Sequence, residues 1–229
     1  MDSVFNLPAS LSIDYIDLRD IFPTMEKVAV LLLSGGVESV TLLHRLAGAG
    51  QPVQAVFIDY GQRAAKTERG AATEHCAQLG VELVALDLSG AGEQFRNVQS
   101  ARPHVPIPHR NLVALSLGLS YATGLGSTRL YLAANREDAA AYPASSHMFL
   151  TQFRVLAGIL GAVTLMTPFI DLSKAQVIAR GTALGIDYAT TYSCMLGYPA
   201  HCGRCTQCLA RKAAFEAAQI PEPNGFYRV

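Results

Sequence analysis

Short apolar runs alternate with amphipathic helical patterns along most of the chain. The apolar runs predict five strands, at residues 27–33, 53–58, 81–87, 128–133 and 162–166. Helical spacing predicts helices at residues 38–48, 64–79, 111–123, 146–160 and 174–184, and a last helix that starts near Cys208 and ends before Pro221. This alternation is typical of crossover helices on a parallel sheet, so we expect a Rossmann-like, doubly wound α/β fold with five parallel strands.

Residues 89–109 are predicted to form a long loop, because they contain glycines and prolines that interrupt regular structure. The loop would lie at the carboxyl ends of the strands, the rim at which open α/β sheets bind ligands. We expect three regions in the chain. They are an N-terminal extension at 1–26 that the pattern leaves unassigned, a nucleotide-binding α/β domain at 27–190, and a small metal-binding region at 191–229 packed on that domain.

Charge and composition narrow the class of function. The 229 residues include 18 Lys plus Arg and 18 Asp plus Glu, so the formal net charge is zero. A neutral chain has no broad positive field to attract nucleic acid or a membrane surface, which favours small-molecule chemistry. The sequence has no apolar run long enough to span a bilayer and no signal-peptide pattern at its N-terminus, so we expect a cytoplasmic protein.

A glycine-rich turn follows the first predicted strand and leads into a predicted helix. It reads Ser34, Gly35, Gly36, Val37, Glu38, Ser39. Adjacent glycines let backbone N–H groups approach an anion, and the helix N-terminus and two serine hydroxyls add favourable charge and donors. The turn therefore predicts a pyrophosphate site, and the alternative is an ordinary Gly-Gly turn. The Walker and dinucleotide-binding patterns are absent from this turn, which disfavours kinase-like chemistry.

Four of the five cysteines lie close together in the sequence, at Cys194, Cys202, Cys205 and Cys208. Four thiolates complete the tetrahedral shell of a structural zinc ion, and C-x-x-C spacing lets a short knuckle present successive sulfurs to one metal. An iron–sulfur cluster and unligated thiols are the alternatives. Cys76 lies apart in a helical pattern and is interpreted as a small core residue.

The turn at residues 34–39 resembles the S-G-G-x-D-S motif of the PP-loop ATP pyrophosphatases. Enzymes of that family transfer AMP from ATP to a substrate oxygen and release pyrophosphate. The resemblance implies that this chain binds ATP and Mg²⁺ at the turn. The family's aspartate is Glu38 here, one methylene longer, which is tolerated, retunes the site or marks a divergent paralogue.

Four further segments are similar to the 7-cyano-7-deazaguanine synthases, the QueC family. They read FIDYGQR (57–63), VPIPHRNLVALSLGLSYA (105–122), LSKAQV (172–177) and SCMLGYPAHCGRCTQCLARKAAF (193–215). The resemblance implies catalytic roles for Arg110, Lys174 and Glu38. The resemblance also implies that the nucleotide is contacted by the turn and by Tyr60, Gln62, Arg63 and Asn111. It further implies that the protein is a homodimer.

The predicted substrate segment departs from the QueC pattern. Residues 135–146 read NREDAAAYPASS, where the family typically has N-A-E-D-x-S-G-Y-P-D-C-R. The resemblance assigns substrate contacts to Asn135, Glu137, Asp138 and Tyr142, which are kept. Alanines replace the Ser-Gly pair at 140–141, and 144–146 are Ala-Ser-Ser. Either the substrate contacts have moved or the substrate has changed, because lost polar partners weaken binding steeply.

The resemblance implies an ATP-dependent ligase of queuosine biosynthesis. Such an enzyme converts 7-carboxy-7-deazaguanine and ammonia into 7-cyano-7-deazaguanine through an adenylated acid and an adenylated amide. The nearest alternative is a divergent member that transfers the adenylated carboxylate to another amine, on a small molecule or a protein partner, without completing the nitrile. A tRNA-modifying thiolase is disfavoured because no basic extension is visible. The last alternative is a zinc-ribbon binding module on an inactive scaffold.

Overall fold

The computed structural model describes residues 27–98, 104–222 and 225–228. The expected N-terminal extension at 1–26 lies outside these residues. Within the described ranges, no helix combines the length and the apolar character needed to cross a bilayer.

Five parallel strands form one sheet in the order β3-β2-β1-β4-β5. The strands are β1 (Ala29–Leu32), β2 (Val53–Asp59), β3 (Glu82–Asp87), β4 (Arg129–Tyr131) and β5 (Thr164–Met166). The central strand β1 pairs with β2 on one side and with β4 on the other, so the strand order reverses there. This sheet confirms the predicted fold, although β1, β4 and β5 are shorter than the apolar runs that predicted them.

Helices cover both faces of the sheet. Those in the described residues are α1 (Val37–Gly48), α2 (Ala65–Leu79), α3 (Ser89–Val98), α4 (Arg110–Gly124), α5 (Arg136–Ala141), α6 (His147–Leu160), α7 (Lys174–Ala183) and α8 (Thr206–Ala218). Short 3-10 turns occur at Pro143–Ser145 and Tyr188–Thr190. The last helix begins two residues before the predicted Cys208.

Side chains of β1 alternate between two hydrophobic cores, as the period of a strand requires. Ala29 and Leu31 pack in the core that also contains buried residues of α1, α7 and α8. Val30 and Leu32 face the opposite core, with buried residues of α4 and α6. Because β1 is covered on both faces, it reads as a continuous apolar run, which explains why its period was not visible in the sequence.

The prediction of a loop over residues 89–109 was wrong in its first half, where α3 forms. The backbone N–H of Ser89 donates to Asp87 Oδ1 at 2.8 Å as this helix begins. One of the glycines that suggested a loop has a packing role instead, because a Cβ added at Gly92 would lie 2.1 Å from the carbonyl oxygen of Tyr60. Gly92 therefore lets α3 approach the end of β2. The short helix α5 was also not predicted.

A fully buried arginine holds the C-terminal segment against the sheet domain. Arg211 of α8 is 0% exposed, and its Nε donates to Glu222 Oε1 at 2.6 Å. Its remaining donors reach the carbonyl oxygen of Tyr188 at 2.7 Å and Thr191 Oγ1 at 2.8 Å. The guanidinium carbon also lies 4.2 Å from the ring centroid of Phe226. The charge is thus paired and hydrogen-bonded, as burial requires.

Gly35 is the point where the turn after β1 meets α2. Its φ of +75° lies in the left-handed region, and an added Cβ would lie 2.3 Å from the carbonyl oxygen of Glu68. The carbonyl oxygen of Gly35 accepts a hydrogen bond of 2.9 Å from the backbone N–H of Tyr192. Both the conformation and the space at this position therefore require glycine.

We expect Gly35→Ala to lower the free energy of unfolding by about 1–3 kcal/mol or more, because backbone strain and a backbone clash coincide. Gly70→Ala is the matched control. Gly70 lies inside α2 with nothing within 4 Å of an added Cβ, so alanine there should stabilise by about 0.5–1 kcal/mol. Urea unfolding followed by circular dichroism measures both changes. Equal effects of the two substitutions would contradict this account of Gly35.

Candidate active site

One cavity of about 1300 Å³ opens at the carboxyl ends of the strands, beside β1. The reversal of strand order at β1 makes this the usual ligand crevice of an open α/β sheet. Most of the predicted site residues line it: Ser34, Gly36, Glu38, Ser39, Tyr60, Gln62, Arg110, Asn111, Asp138, Tyr142 and Lys174. Five others, Gly35, Val37, Arg63, Asn135 and Glu137, are not among the lining residues.

The turn at residues 34–39 is held in shape by its own hydroxyl groups. The backbone N–H of Ser34 donates to Ser39 Oγ at 3.2 Å, and the two serine Oγ atoms lie 3.1 Å apart. Ser39 Oγ also donates to the carbonyl oxygen of Gly36 at 3.2 Å. Because α1 begins at Val37, the cavity faces the N-terminus of a 12-residue helix, which favours an anion such as a phosphate group.

Glu38 is the centre of a polar cluster on the cavity wall. Its Oε1 pairs with Lys174 Nζ at 2.8 Å and accepts from Asn135 Nδ2 at 2.7 Å. An aspartate would withdraw the carboxylate by about one carbon–carbon bond, roughly 1.5 Å, so that neither contact would form unless the partner side chains or the backbone moved. The longer side chain therefore connects α1 with α7 and with the residue that precedes α5.

The charges around Lys174 and Asp138 are tightly coupled. Burial disfavours the ammonium form of Lys174, but the Glu38 carboxylate outweighs it and raises the pKa of this lysine. Burial, together with the nearby negative charge of Glu38, raises the pKa of Asp138. Lys174 thus keeps its positive charge inside the cavity, where a phosphate group would meet it with little competing water.

Asn135 and Glu137 do not line the cavity but hydrogen-bond to the backbone of neighbouring helices. Asn135 Oδ1 accepts from the backbone N–H of Asp138 at 2.8 Å and forms the capping box that starts α5. Glu137 Oε2 accepts from the backbone N–H of Lys174 at 3.0 Å, at the start of α7. Both residues therefore position the Glu38, Asp138 and Lys174 cluster.

Gln62 closes the turn after β2 with its own amide. Its Oε1 accepts from the backbone N–H of Tyr60 at 2.9 Å, and its Nε2 donates to Glu68 Oε2 at 3.0 Å. The exposed Arg63 instead presents its backbone to the cysteine-containing segment, where a Cβ added at Gly197 would lie 2.3 Å from the Arg63 carbonyl oxygen. Of these neighbours in sequence, the structure brings Tyr60 and Gln62 to the cavity.

Arg110 and Asn111 begin α4 and face the segment that follows α5. The guanidinium carbon of Arg110 lies 5.9 Å from the ring centroid of Tyr142, a cation–π distance. Asn111 Nδ2 donates to Ser145 Oγ at 2.7 Å. These contacts connect the nucleotide side of the cavity with the predicted substrate segment.

The sequence reasoning missed several lining residues, among them Glu68, Tyr192, Met195 and Gln207. Burial raises the pKa of Glu68, which lies in the first turn of α2. The position of Glu68, in the first turn of the helix that follows β2, could have identified it from the sequence. Met195 and Gln207 gave no such signal, because only the fold brings the cysteine-containing segment over the cavity.

The four predicted cysteines converge in space. Their Sγ atoms all lie within 4.8 Å of one another, and Cys202 Sγ and Cys208 Sγ are 3.9 Å apart. A tetrahedron with metal–sulfur bonds of about 2.3 Å has edges of about 3.8 Å, so the arrangement fits one metal ion. Burial opposes ionisation of Cys202, but backbone N–H groups of Arg204 and Cys205 outweigh it and lower its pKa to about 6.

Comparison with known proteins agrees with this geometry. Residues 28–219 match the family model described as queuosine biosynthesis protein QueC. The chain belongs to the QueC family. A 7-cyano-7-deazaguanine synthase of Aromatoleum aromaticum is 38% identical, with 89% of this chain and 99% of that protein covered. The 7-cyano-7-deazaguanine synthase 1 of Sulfurisphaera tokodaii is 34% identical, covering 86% of this chain and 97% of that protein.

Among solved structures, the NMN synthetase of Francisella tularensis is similar in fold. Its TM-score is 0.52 at 17% identity, with 88% of this chain and 80% of that chain covered. Membership of the QueC family confirms the resemblance found in the sequence, and the QueC relatives are covered almost from end to end. The Glu38 cluster and the alanines of the predicted substrate segment therefore lie within the part of the chain that matches the QueC family.

We expect the purified protein to carry about one metal ion per chain, and Cys205→Ser to lose most of it, because three thiolates and a hydroxyl leave the shell incomplete. Cys76→Ser is the matched control, since Cys76 lies in α2, outside the cluster. Inductively coupled plasma mass spectrometry measures the metal content. Full metal content in Cys205→Ser, or metal loss in Cys76→Ser, would contradict this assignment.

Proposed function

We propose that this QueC-family chain converts 7-carboxy-7-deazaguanine, ammonia and two molecules of ATP into 7-cyano-7-deazaguanine. One observation carries the proposal. A single cavity unites the turn at residues 34–39, the half-buried Lys174–Glu38 pair and the segment from Asp138 to Ser145. The named relatives are synthases of this nitrile, and a reaction of two phosphate-activated steps needs these three parts together.

In the first step, a carboxylate oxygen of the substrate attacks the α-phosphorus of ATP, and pyrophosphate leaves. The backbone N–H groups at residues 34–39 and the N-terminus of α1 would hold the phosphates. Lys174 would balance the charge that develops on the departing pyrophosphate. Its raised pKa keeps it protonated for this role, and its ion pair with Glu38 fixes its direction.

In the following steps, ammonia attacks the activated carbonyl carbon, AMP leaves and a proton is released. The amide oxygen then attacks the α-phosphorus of a second ATP, and a second pyrophosphate leaves. Departure of AMP together with both amide protons leaves the nitrile. Arg110 lines the same cavity beside Tyr142, and is the group we assign to the negative charge shared by phosphate and acyl oxygens.

The chain offers donor groups for two metal ions, one beside the phosphate site and one at the cysteine cluster. The carboxylates of Glu38 and Asp138 offer oxygen ligands beside the phosphate site, which suit Mg²⁺, and Mg²⁺ neutralises phosphate charge when bound. The four cysteines suit Zn²⁺ in a structural role, because four thiolates fill a tetrahedral shell and leave no position for a substrate.

A second reaction is favoured by one observation, the apolar substrate segment at residues 139–141 and 144. Fewer polar groups there would hold the amide less firmly for its second activation. In that case the chain adenylates the same type of carboxylate and transfers it to another amine, on a small molecule or a protein.

Incubation with ATP, Mg²⁺, ammonium and 7-carboxy-7-deazaguanine distinguishes the two reactions, because acid, amide and nitrile differ in mass. We expect the nitrile over multiple turnovers in mass spectra. Accumulation of the amide, or pyrophosphate release without either product, would instead support transfer to another amine. Pyrophosphate release with an unrelated carboxylate but not with this acid would show that the substrate is wrong.

In the same assay, we expect Lys174→Met to lower kcat by about 10²–10³-fold, the effect of losing one preorganised charge in an active site. Lys66→Met is the matched control, because Lys66 is an exposed lysine of α2 and does not line the cavity. Thermal unfolding of both variants tests whether they fold. Unchanged turnover in folded Lys174→Met would remove this lysine from the mechanism.

We also propose that the chain forms a homodimer through α6. Five apolar side chains of this helix are between 46% and 76% exposed: Met148, Val155, Leu156, Ile159 and Leu160. The charged Arg154 of α6 turns inward, where its Nε donates to the carbonyl oxygen of Leu165. Because the face is uncharged, a two-fold axis would bring no like charges together, so a second copy of the chain fits it.

We expect Ile159→Glu to convert the dimer into a monomer, because two carboxylates would meet in an apolar interface. Ala210→Glu adds the same charge at an exposed position of α8 and should leave the dimer intact. Light scattering after size-exclusion chromatography gives the mass of each. A wild-type monomer, or a dimeric Ile159→Glu variant, would exclude α6 as the interface.

A further inference from the structure

The substrate end of the cavity has two walls of different character. One wall consists of α5 and the 3-10 turn after it, and includes Ala144, where the QueC pattern has an aspartate, and Ala141, where it has a glycine. A second wall comes from the cysteine-containing segment and includes Met195, Thr206 and Gln207. The first wall therefore lacks the carboxylate of the QueC pattern at position 144, and Thr206 and Gln207 bring polar side chains to the cavity from the second wall.

Gln207 bridges the two walls. It is half-buried in the first turn of α8, and its Nε2 donates to the hydroxyl oxygen of Tyr142 at 3.3 Å. Cys205 and Cys208 flank it, and both belong to the four-cysteine cluster. The cluster thus anchors the backbone on each side of Gln207, and the hydrogen bond to Tyr142 holds its amide.

We infer that Gln207 is a specificity-determining residue, whose amide pairs with the polar edge of the deazaguanine base. This inference rests on the proposed function. A carboxamide offers one acceptor oxygen and two N–H donors. One N–H is used by Tyr142, which leaves an acceptor and a donor for the ring N–H and carbonyl groups of a guanine-type edge.

Tyr142 is the positioning partner of this amide. Its hydroxyl oxygen accepts from Gln207, so the hydroxyl hydrogen remains to be donated to the ligand. Its ring lies beside Arg110, on the side of the nucleotide. Recognition of the base by Gln207 and activation of its carboxylate near Arg110 therefore share one tyrosine, which sets the distance between the two events.

Steady-state kinetics and calorimetry test the role of Gln207. We expect Gln207→Leu to raise the KM for 7-carboxy-7-deazaguanine, and its Kd without ATP, by about 10-fold, because a hydrogen-bonded partner is lost. The KM for ATP should stay unchanged. The wild type should also prefer this acid to the analogue without the 2-amino group or the ring carbonyl, and Gln207→Leu should lose that preference.

Leu209→Ala is the matched control, because Leu209 lies on the same helix as an exposed residue and does not line the cavity. Metal content is measured for every variant. Should Gln207→Leu lose metal, Tyr142→Phe decides, since it removes the hydroxyl that holds Gln207 from outside the cluster. It should raise the same KM and Kd in the same direction.

A folded, metal-containing Gln207→Leu protein with wild-type KM and wild-type preference would overturn the inference, while the proposed function would survive. If Gln207→Leu loses its metal, an unchanged KM for the acid in Tyr142→Phe would likewise overturn the inference and leave the proposed function intact. A wild-type protein that neither binds the acid nor releases pyrophosphate with it would overturn the proposed function itself, and the role of Gln207 with it.

Discussion

The close approach of Gly35 to α2 is the contact on which the site depends. One side of this residue has no room for a Cβ because the backbone of Glu68 lies there, and its carbonyl oxygen is bonded to the N–H of Tyr192. A single peptide unit therefore joins the central strand, the helix after β2 and the segment that leads to Cys194. Gly35 thus links the turn at residues 34–39 with the segment that carries the cysteine cluster.

A second constraint comes from the length of Glu38. Its carboxylate reaches Lys174 and Asn135 at once, and so couples the first turns of α1 and α7 with the start of α5. Glu137 adds a further contact at the first residue of α7. The charged groups that would meet ATP are thus held by three helix N-termini rather than by flexible loops, which is the arrangement that preorganised catalysis needs.

The sequence predicted those parts of the molecule that depend on residues close together in the chain. Buried strands gave continuous apolar runs, and the cysteine spacing predicted the cluster, because a knuckle brings neighbouring ligands together without help from distant residues. Side-chain direction was not predictable in the same way. Arg63 and Gln62 are adjacent in a family motif, yet only Gln62 lines the cavity, while the carbonyl oxygen of Arg63 packs against Gly197.

Helix α3 and Gln207 show the same limit. In a sequence, glycine usually indicates a break in a helix. Gly92 instead lies within α3, because only glycine leaves room for the carbonyl group of Tyr60. Tyr60 is distant in sequence, so no local pattern predicts this contact. Gln207 is one of many glutamines until α8 is placed opposite Tyr142. Contacts between segments distant in sequence decide both cases.

Arg211 has a practical consequence for anyone who produces this protein. Its guanidinium is fully buried, and its carboxylate partner Glu222 lies in the last residues that the structure describes. Trimming the chain before Glu222 would leave an uncompensated buried charge, which costs about 3–5 kcal/mol. Affinity tags and cleavage sites near this terminus should therefore be chosen with the same care as an internal substitution in the core.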